Sequence, residues 1–316
     1  LCQHATIFSV EMDDEGAIPE RMREQIHAAR DQGYLVPFYY TVPDGHNPAG
    51  FSFSQRRREQ IIEVLRQEGV LVLEDAPYLY INYAAPADRA QTFLSIDSKQ
   101  TIHLFTGSKI GFPGPRVGYL YSDATIQIEG GEDVPLSTLA LTESSADVLF
   151  QNPAALRGFE ALMHKREDNG CYTKRDSMWP LAENKLGVYR ENRQILLDTL
   201  EAELHDYKEH FEWTVPDGGF FSVFTFKRVA GTPVIQTDDA LIEQLVKEHG
   251  IVVIPMYDFY PADARQRDPG AGMNQLRLSF CFSESQGDAR RADMREAVEA
   301  FCAAAKRLVG VVGDAS

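Results

Sequence analysis

Basic residues are in short supply. Lys and Arg total 31 against 47 Asp and Glu, a formal charge of −16 over 316 residues. Such a surface repels polyanions, so neither nucleic acid nor an anionic membrane is expected as a partner, although a local basic pocket remains compatible with it. Cysteine is scarce too. Cys2, Cys171, Cys281 and Cys302 lie far apart, with no CxxC or Cys/His ligand spacing. That leaves no zinc pattern, and no metal is expected. Scattered free thiols fit a reducing compartment, so a cytoplasmic location is expected. No segment approaches the ~18 consecutive apolar residues of a membrane span. The opening LCQHATIFSV lacks the basic n-region of a signal peptide. Internal repeats and low-complexity tracts are missing as well. The chain also opens without Met, in what reads as the middle of a domain, so an N-terminal part of the protein is expected to be missing from it.

What is present is ordinary globular composition, 44% hydrophobic and 25% charged, with enough chain for one large or two medium domains. The first two thirds alternate strand and helix signals. YLVPFYYT (34–41) is apolar and aromatic and leads into the turn cluster PDGHNPAG. SQRRREQIIEVLRQEG follows at helical spacing, with Ser54 as N-cap and Gly69 as stop. VLVLED (70–75) is a continuous apolar run ending in acids, which suits a strand buried on both faces of a parallel sheet. TIHLF (101–105) and VGYLYS (117–122) are two further strands.

This rhythm predicts an α/β fold, a mostly parallel sheet covered by helices, and in such sheets ligands bind beyond the carboxyl ends of the strands. Residues 123–185 are less regular, and 187–207 reads as a long helix. Beyond it the pattern turns to α+β. WTVPDGGFFSVFTF predicts a hairpin around Gly218-Gly219, LIEQLVKEHG then IVVIP a helix and a strand, and residues 288–308 a closing helix. QLRLSFCF alternates strictly, with Leu276, Leu278, Phe280 and Phe282 facing one way and Arg277, Ser279 and Cys281 the other. Two domains are therefore expected, a large one over 1–186 and a smaller C-terminal one over 187–316.

Asn47, Asp75, Tyr78 and Lys109 all fall just after a predicted strand. Taken singly, each has a bland reading and a chemical one. Lys109 is a solvated loop lysine, or a nucleophile whose pKa a pocket or nearby cations lower. Asp75, at the end of a buried strand, is a helix cap, an ion-pair member or a site carboxylate, because an unpaired buried charge is costly. Glu74 points to the opposite face, so the two acids do not form a dyad. Tyr78 packs or reaches the same pocket, and Asn47, before Pro48, is turn chemistry or a ligand. Arg277, mid-strand opposite the apolar face, needs an anion, from a buried salt bridge or from a substrate carboxylate.

Their order carries more than any one of them. Asn-Pro-x-Gly, Asp-x-x-Tyr after a strand, Ser-Lys with Arg seven residues on, Gly-Gly-aromatic and Arg-Leu-x-Phe follow one another along the chain. This order resembles the pyridoxal-phosphate-dependent aminotransferases of fold type I, class I/II, and within them the kynurenine/2-aminoadipate and aromatic branch. YYTVPDGHNPAG, VLVLEDAPYLYINY, FTGSKIGFPGPRVGYL, PDGGFFSVF and QLRLSFCF carry the likeness, which runs over residues 5–308.

The resemblance implies pyridoxal 5′-phosphate held by Lys109 as a Schiff base, with the freed amine then moving the substrate proton. It implies Asp75 on the pyridinium nitrogen, and Tyr78 and Asn47 on the ring's phenolic oxygen. Thr106, Ser108 and Arg116 would bind the phosphate, and Arg277, with Asn47 beside it, the substrate's α-carboxylate. It implies transfer of an amino group to a 2-oxo acid such as 2-oxoglutarate, by a homodimer. The aromatics Tyr78, Tyr80, Phe112, Phe220, Tyr257, Phe259 and Tyr260 suggest an aromatic or long-chain donor. Two other outcomes stay open: another reaction on the same cofactor (lyase, racemase, biosynthesis of a nonstandard amino acid), or the cofactor-binding domain of an aminotransferase-like transcription regulator. Three departures from the family stand out. Its glycine-rich phosphate loop and ring-stacking aromatic would lie before Leu1, Thr106-Gly107 replaces a Ser-aromatic pair, and Met256 stands where Gly is usual.

Overall fold

The computed structural model describes residues 5–111, 113–127, 130–148 and 152–312; Cys2 and Phe112 lie outside them. The chain divides into two compact units. One comprises Val10–Asp44 and Ser52–Leu186; the other comprises Gly187–Ser316 with Gly45–Phe51 and the chain up to Ser9.

The first unit is built on a four-stranded sheet in the order Phe38–Thr41, Leu71–Asp75, Thr101–Thr106, Gly118–Tyr121. The first three strands are parallel and the fourth runs antiparallel to the third, so the sheet is mixed. The first strand is shorter than YLVPFYYT suggests. Pro37 has no N–H to give to a ladder, and pairing starts at Phe38 opposite Leu71. The helix Gln55–Glu68 begins as expected. The Ser54 side chain accepts from the Arg57 N–H, and Gly69, at φ 63°, ends it in the left-handed conformation. Both crossovers step the same way across the sheet, so the right-handed rule puts Gln55–Glu68 and Phe93–Ile96 on one face.

That asymmetry corrects one expectation. Leu71–Asp75 is not buried on both sides: Val72 and Glu74 are sealed, whereas Leu71, Leu73 and Asp75 are half-buried. Glu74, 0% exposed, accepts from the N–H groups of Phe93 (2.7 Å) and Leu94 (3.2 Å) and meets His103 Nδ1 at 2.6 Å. It is a buried carboxylate satisfied by a helix N-terminus and an imidazole. Next to this side of the sheet lies a second buried pair. Arg58 (0% exposed) holds Asp44 (1%) at 2.8 Å and also donates to the carbonyls of Pro43, Phe53 and Gln91. Burial pushes the Asp44 carboxyl up while Arg58 pulls it down.

Residues 123–185 contain more order than their pattern suggests. Helices Leu136–Val148 and Pro153–Leu162 are accompanied by two short hairpins, Thr125–Gln127 with Asp133–Pro135 and His164–Arg166 with Tyr172–Lys174. Three-residue strands are too short to show a period. The long helix runs Trp179–Leu204, starting earlier than 187.

In the second unit the antiparallel order is Phe211–Trp213, Phe221–Phe226, Gln275–Ser279, Ile254–Pro255. Trp213 pairs with Phe224 across the turn that holds Gly218-Gly219, as the hairpin reading requires. Leu276, Leu278 and Phe280 are buried on one face, against Phe224 and helix Gly287–Leu308, whose Phe301 ring meets Phe224 edge-on at 4.9 Å. Of IVVIP only Ile254–Pro255 pairs, at the sheet edge. Among the described residues no helix is long and apolar enough to cross a membrane.

The buried pair has a measurable consequence. Arg58→Met leaves Asp44 without its partner in the interior, and the expected loss is about 3–5 kcal/mol. It should appear as a lower urea midpoint at unchanged slope, with much of it regained in Arg58→Met/Asp44→Leu.

Candidate active site

At the carboxyl ends of the parallel strands the first unit gathers most of the sequence candidates. Asp75 closes its strand and pairs in register with Leu104, two residues before Thr106. Alternation sends Glu74 inward and Asp75 to the open face, where the Tyr40 hydroxyl donates to Asp75 Oδ2 at 2.8 Å. Partial burial, then the bond to and charge of Asp75, hold the Tyr40 phenol well above its ordinary pKa, so the proton stays on the phenol. Tyr78, 6% exposed, follows in the turn after the strand.

Thr106 ends the next strand and starts the short helix Gly107–Ile110. Its Oγ1 accepts from the Ser108 N–H (3.2 Å), and its hydroxyl donates to Ser108 Oγ at 3.1 Å. Arg116 Nη1 donates to the same Ser108 oxygen at 3.1 Å. An oxygen that accepts twice has its own proton left to give. Arg116 sits at φ 58°, a left-handed conformation that costs a non-glycine residue about 1–3 kcal/mol, and such strain gathers at functional sites. Among the described residues no carboxylate pairs with Arg116. Lys109 lies on the same turn, its Nζ 5.9 Å from the centre of the Tyr78 ring. Ile110 and Val117 anchor the two ends of this turn in a cluster with Ala155 and Phe159, packed by Tyr80, Phe105 and Met178.

The second unit holds the other two candidates, and they touch. Arg277 Nη1 donates to Asn47 Oδ1 at 2.7 Å. The guanidinium lies between two rings, 4.1 Å from the centre of Phe221 and 4.9 Å from that of Phe259. An amide oxygen and two aromatic faces thus help to set its orientation. Asn47 is set by the loop His46–Phe51: the His46 N–H donates to Phe51 O (2.7 Å) and the Gly50 N–H to His46 O (2.6 Å). The Asn47–Pro48 bond is cis. Gly50 has φ 78°, and a Cβ there would stand 2.2 Å from Phe221 O, so no other residue fits. His46 stacks on Phe51 at 5.5 Å, and burial pushes its imidazole down to about 4.

Two contacts escape a linear reading, the Tyr40 bond to Asp75 and the Phe221 ring on Arg277. Tyr40 pairs with Leu73, two residues before Asp75, and Phe221 pairs with Ser279, two residues beyond Arg277. The alternation of each strand carried a signal for both. Of the suggested aromatics, Phe259 faces Arg277, while Tyr80 packs in the Phe105 cluster with Trp179 at 4.9 Å. The Tyr257 hydroxyl donates to Asp239, and Phe220 meets Tyr189 in a tilted ring contact. Met256 is buried, close against Gly272. No group of His, Cys, Asp and Glu among the described residues is arranged to hold a metal.

The first unit thus carries a polar set at the carboxyl ends of its parallel strands, next to a strained arginine turn, on a mixed α/β sheet. The family profile "Aminotransferase class I and II" matches residues 42–288, and the chain belongs to that family. It is 29% identical over 283 residues to an (S)-3,5-dihydroxyphenylglycine transaminase of Amycolatopsis orientalis, covering 89% of this chain and 57% of the relative. It is 26% identical to the mitochondrial kynurenine/alpha-aminoadipate aminotransferase of Mus musculus, covering 88% of this chain and 59% of the relative. Its fold matches the multiple substrate aminotransferase of Thermococcus profundus at a TM-score of 0.71 and 24% identity, over 96% of this chain and 65% of that one. A second match is the alpha-aminoadipate aminotransferase LysN of Thermus thermophilus, complexed with N-(5′-phosphopyridoxyl)-L-leucine. It has a TM-score of 0.71 at 22% identity, over 96% of this chain and 66% of that one. The chain thus spans roughly three fifths of the length of the curated relatives it matches.

The depressed imidazole sets a pH dependence. His46 titrates near 6.5 when unfolded and at about 4 when folded, so between those values the unfolded chain binds more protons. Stability contributed by this group is full above pH 6.5 and falls as pH drops towards 4. His46→Gln should lose less urea stability than the parent between pH 7 and pH 4.5.

Proposed function

We propose that the protein is a pyridoxal-phosphate-dependent aminotransferase, moving the amino group of an aromatic or long-chain amino acid to a 2-oxo acid such as 2-oxoglutarate. The observation that carries the reading is the Thr106–Arg116 turn. There a guanidinium without a carboxylate and two linked hydroxyls stand close in the chain to Lys109, on the strand next to Asp75. This donor set fits the cofactor. Thr106, Ser108 and Arg116 suit a phosphate dianion, because they offer O–H and N–H donors and a positive charge that no protein anion consumes. Asp75 suits a protonated ring nitrogen, and Tyr78 the ring's phenolic oxygen.

Bound pyridoxal phosphate supplies an electron sink for the carbanion left when an amino acid loses its Cα proton. The chain supplies the rest. Lys109 would be the residue that holds the cofactor, and its amine would serve as the general base for the substrate's Cα proton. Arg277 binds the α-carboxylate with Asn47 Oδ1 fixing its fork, and the Phe221 and Phe259 rings stiffen the guanidinium and shed water from it. Asn47 also serves the ring's phenolic oxygen in this reading. The relatives named for dihydroxyphenylglycine and kynurenine support an aromatic donor. A homodimer and a cytoplasmic location are part of the proposal, the first from the resemblance and the second from the scattered thiols Cys171, Cys281 and Cys302.

A panel of amino acids offered with 2-oxoglutarate tests the activity. Glutamate should form with at least one aromatic or long-chain donor, and its absence with every donor would sink transamination. Lys109→Ala should abolish turnover and leave no adduct that borohydride can fix to the protein; a fixed adduct in that variant would refute the assignment. Arg277→Lys keeps the charge but loses the paired donors, and the expected result is a KM for the amino acid roughly tenfold higher with a smaller change in kcat.

A further inference from the structure

Asp75 has one hydrogen-bonding partner that no residue motif announces. Tyr40 and Leu73 are register partners on neighbouring parallel strands, so Tyr40 and Asp75 share the open face of the sheet. The phenol reaches diagonally along that face and donates to Oδ2 at 2.8 Å. We propose that Tyr40 is a positioning residue: its hydroxyl occupies Oδ2, orients the Asp75 carboxylate and leaves Oδ1 as the oxygen available to a ring nitrogen. This rests on the reading of Asp75 given above.

The nature of the partner matters. An ionised carboxylate has about four lone-pair sites, and without a donor its plane is free to turn about χ2. A cation at this position would fix the plane but also neutralise the charge that Asp75 is required to show to a protonated nitrogen. A phenol fixes the plane and leaves the net charge intact. Among the described residues no Lys, Arg or His forms an ion pair with Asp75. Tyr40 is 51% exposed, so packing alone does not account for it. Its neighbour on the same face, Phe38, shows that an aromatic without a hydroxyl is compatible with the strand. The hydroxyl is therefore the part of Tyr40 that the site uses.

Tyr40→Phe removes that hydroxyl alone, on an open face where Phe is tolerated. Three quantities are to be measured on the full chain: the melting temperature without cofactor, the dissociation constant for pyridoxal phosphate, and the ¹⁵N chemical shift of ring-labelled pyridoxal phosphate when bound. For Tyr40→Phe the melting temperature should stay near that of the parent. The dissociation constant should rise about tenfold, the size expected for losing one hydrogen bond to a charged group. The ¹⁵N signal should move towards the unprotonated position. Asp75→Asn is run alongside, and so is the double variant, which should be no worse than Asp75→Asn because Tyr40 acts through Asp75. If Asp75→Asn leaves affinity and ¹⁵N shift at parental values, the reading of Asp75 itself fails. If Asp75→Asn changes both while Tyr40→Phe matches the parent, the reading of Asp75 stands and the role of Tyr40 is overturned. A double variant clearly weaker than Asp75→Asn would also overturn it, since Tyr40 would then act elsewhere.

Discussion

Two successive acids at the end of one parallel strand must point to opposite faces, and the first unit is arranged around that constraint. Glu74 enters the sealed side, where an ionised carboxylate survives only with donors in place. The first N–H groups of Phe93–Ile96 and the imidazole of His103 provide them. That ties the crossover helix to its strand. With Glu74 pinned, the register of Leu71–Asp75 against its neighbours is pinned too, because a slip of one residue would bury Asp75 and expose Glu74. Asp75 therefore reaches the open face at a fixed height, beside Tyr40 and within one strand of the Thr106 turn.

The turn after Thr106 solves a different problem with few parts. A guanidinium and two hydroxyls are held in a small space there, and among the described residues no carboxylate pairs with the guanidinium. The overall excess of acids makes that harder, since 47 carboxylates compete for 31 Lys and Arg. Elsewhere the competition is visible: Arg57 is taken by Asp13 and Glu15, Arg66 by Glu63 and Asp97, and Arg290 by Glu191. Arg116 is oriented instead by a neutral group, Ser108, while Arg277 donates to the amide of Asn47 between two aromatic rings. Neutral partners orient a cation without cancelling its charge, and that distinguishes cations suited to a ligand from cations that tie the fold together.

Much of this was legible in the sequence because the signals are local. Ser54 and Gly69 delimit a helix by capping chemistry, and the 276–282 alternation assigns Arg277 to the face away from the core. Lys109, Asp75 and Asn47 stand at or just after strand ends, where their sequence positions put them. What escaped depends on pairing across strands. The Tyr40 bond to Asp75 requires the register of two strands 35 residues apart, and the Phe221 ring over Arg277 requires the register of two strands far apart in the chain. The hairpins at 125–135 and 164–174 escaped for another reason: strands of three residues are shorter than the pattern that would reveal them.

The open side of the first sheet follows from the same topology. With both crossover helices on the Glu74 side, nothing among the described residues needs to cover the side that carries Asp75. That face keeps Phe38, Tyr40 and Leu120 substantially exposed. The Asp75 carboxylate there is half-buried, and the Tyr40 phenol donates to it. A sealed carboxylate such as Glu74 could not be left with one neutral donor. The placement of both crossover helices on the Glu74 side thus leaves Asp75 oriented by a neutral donor, in contrast to Glu74 on the helix side.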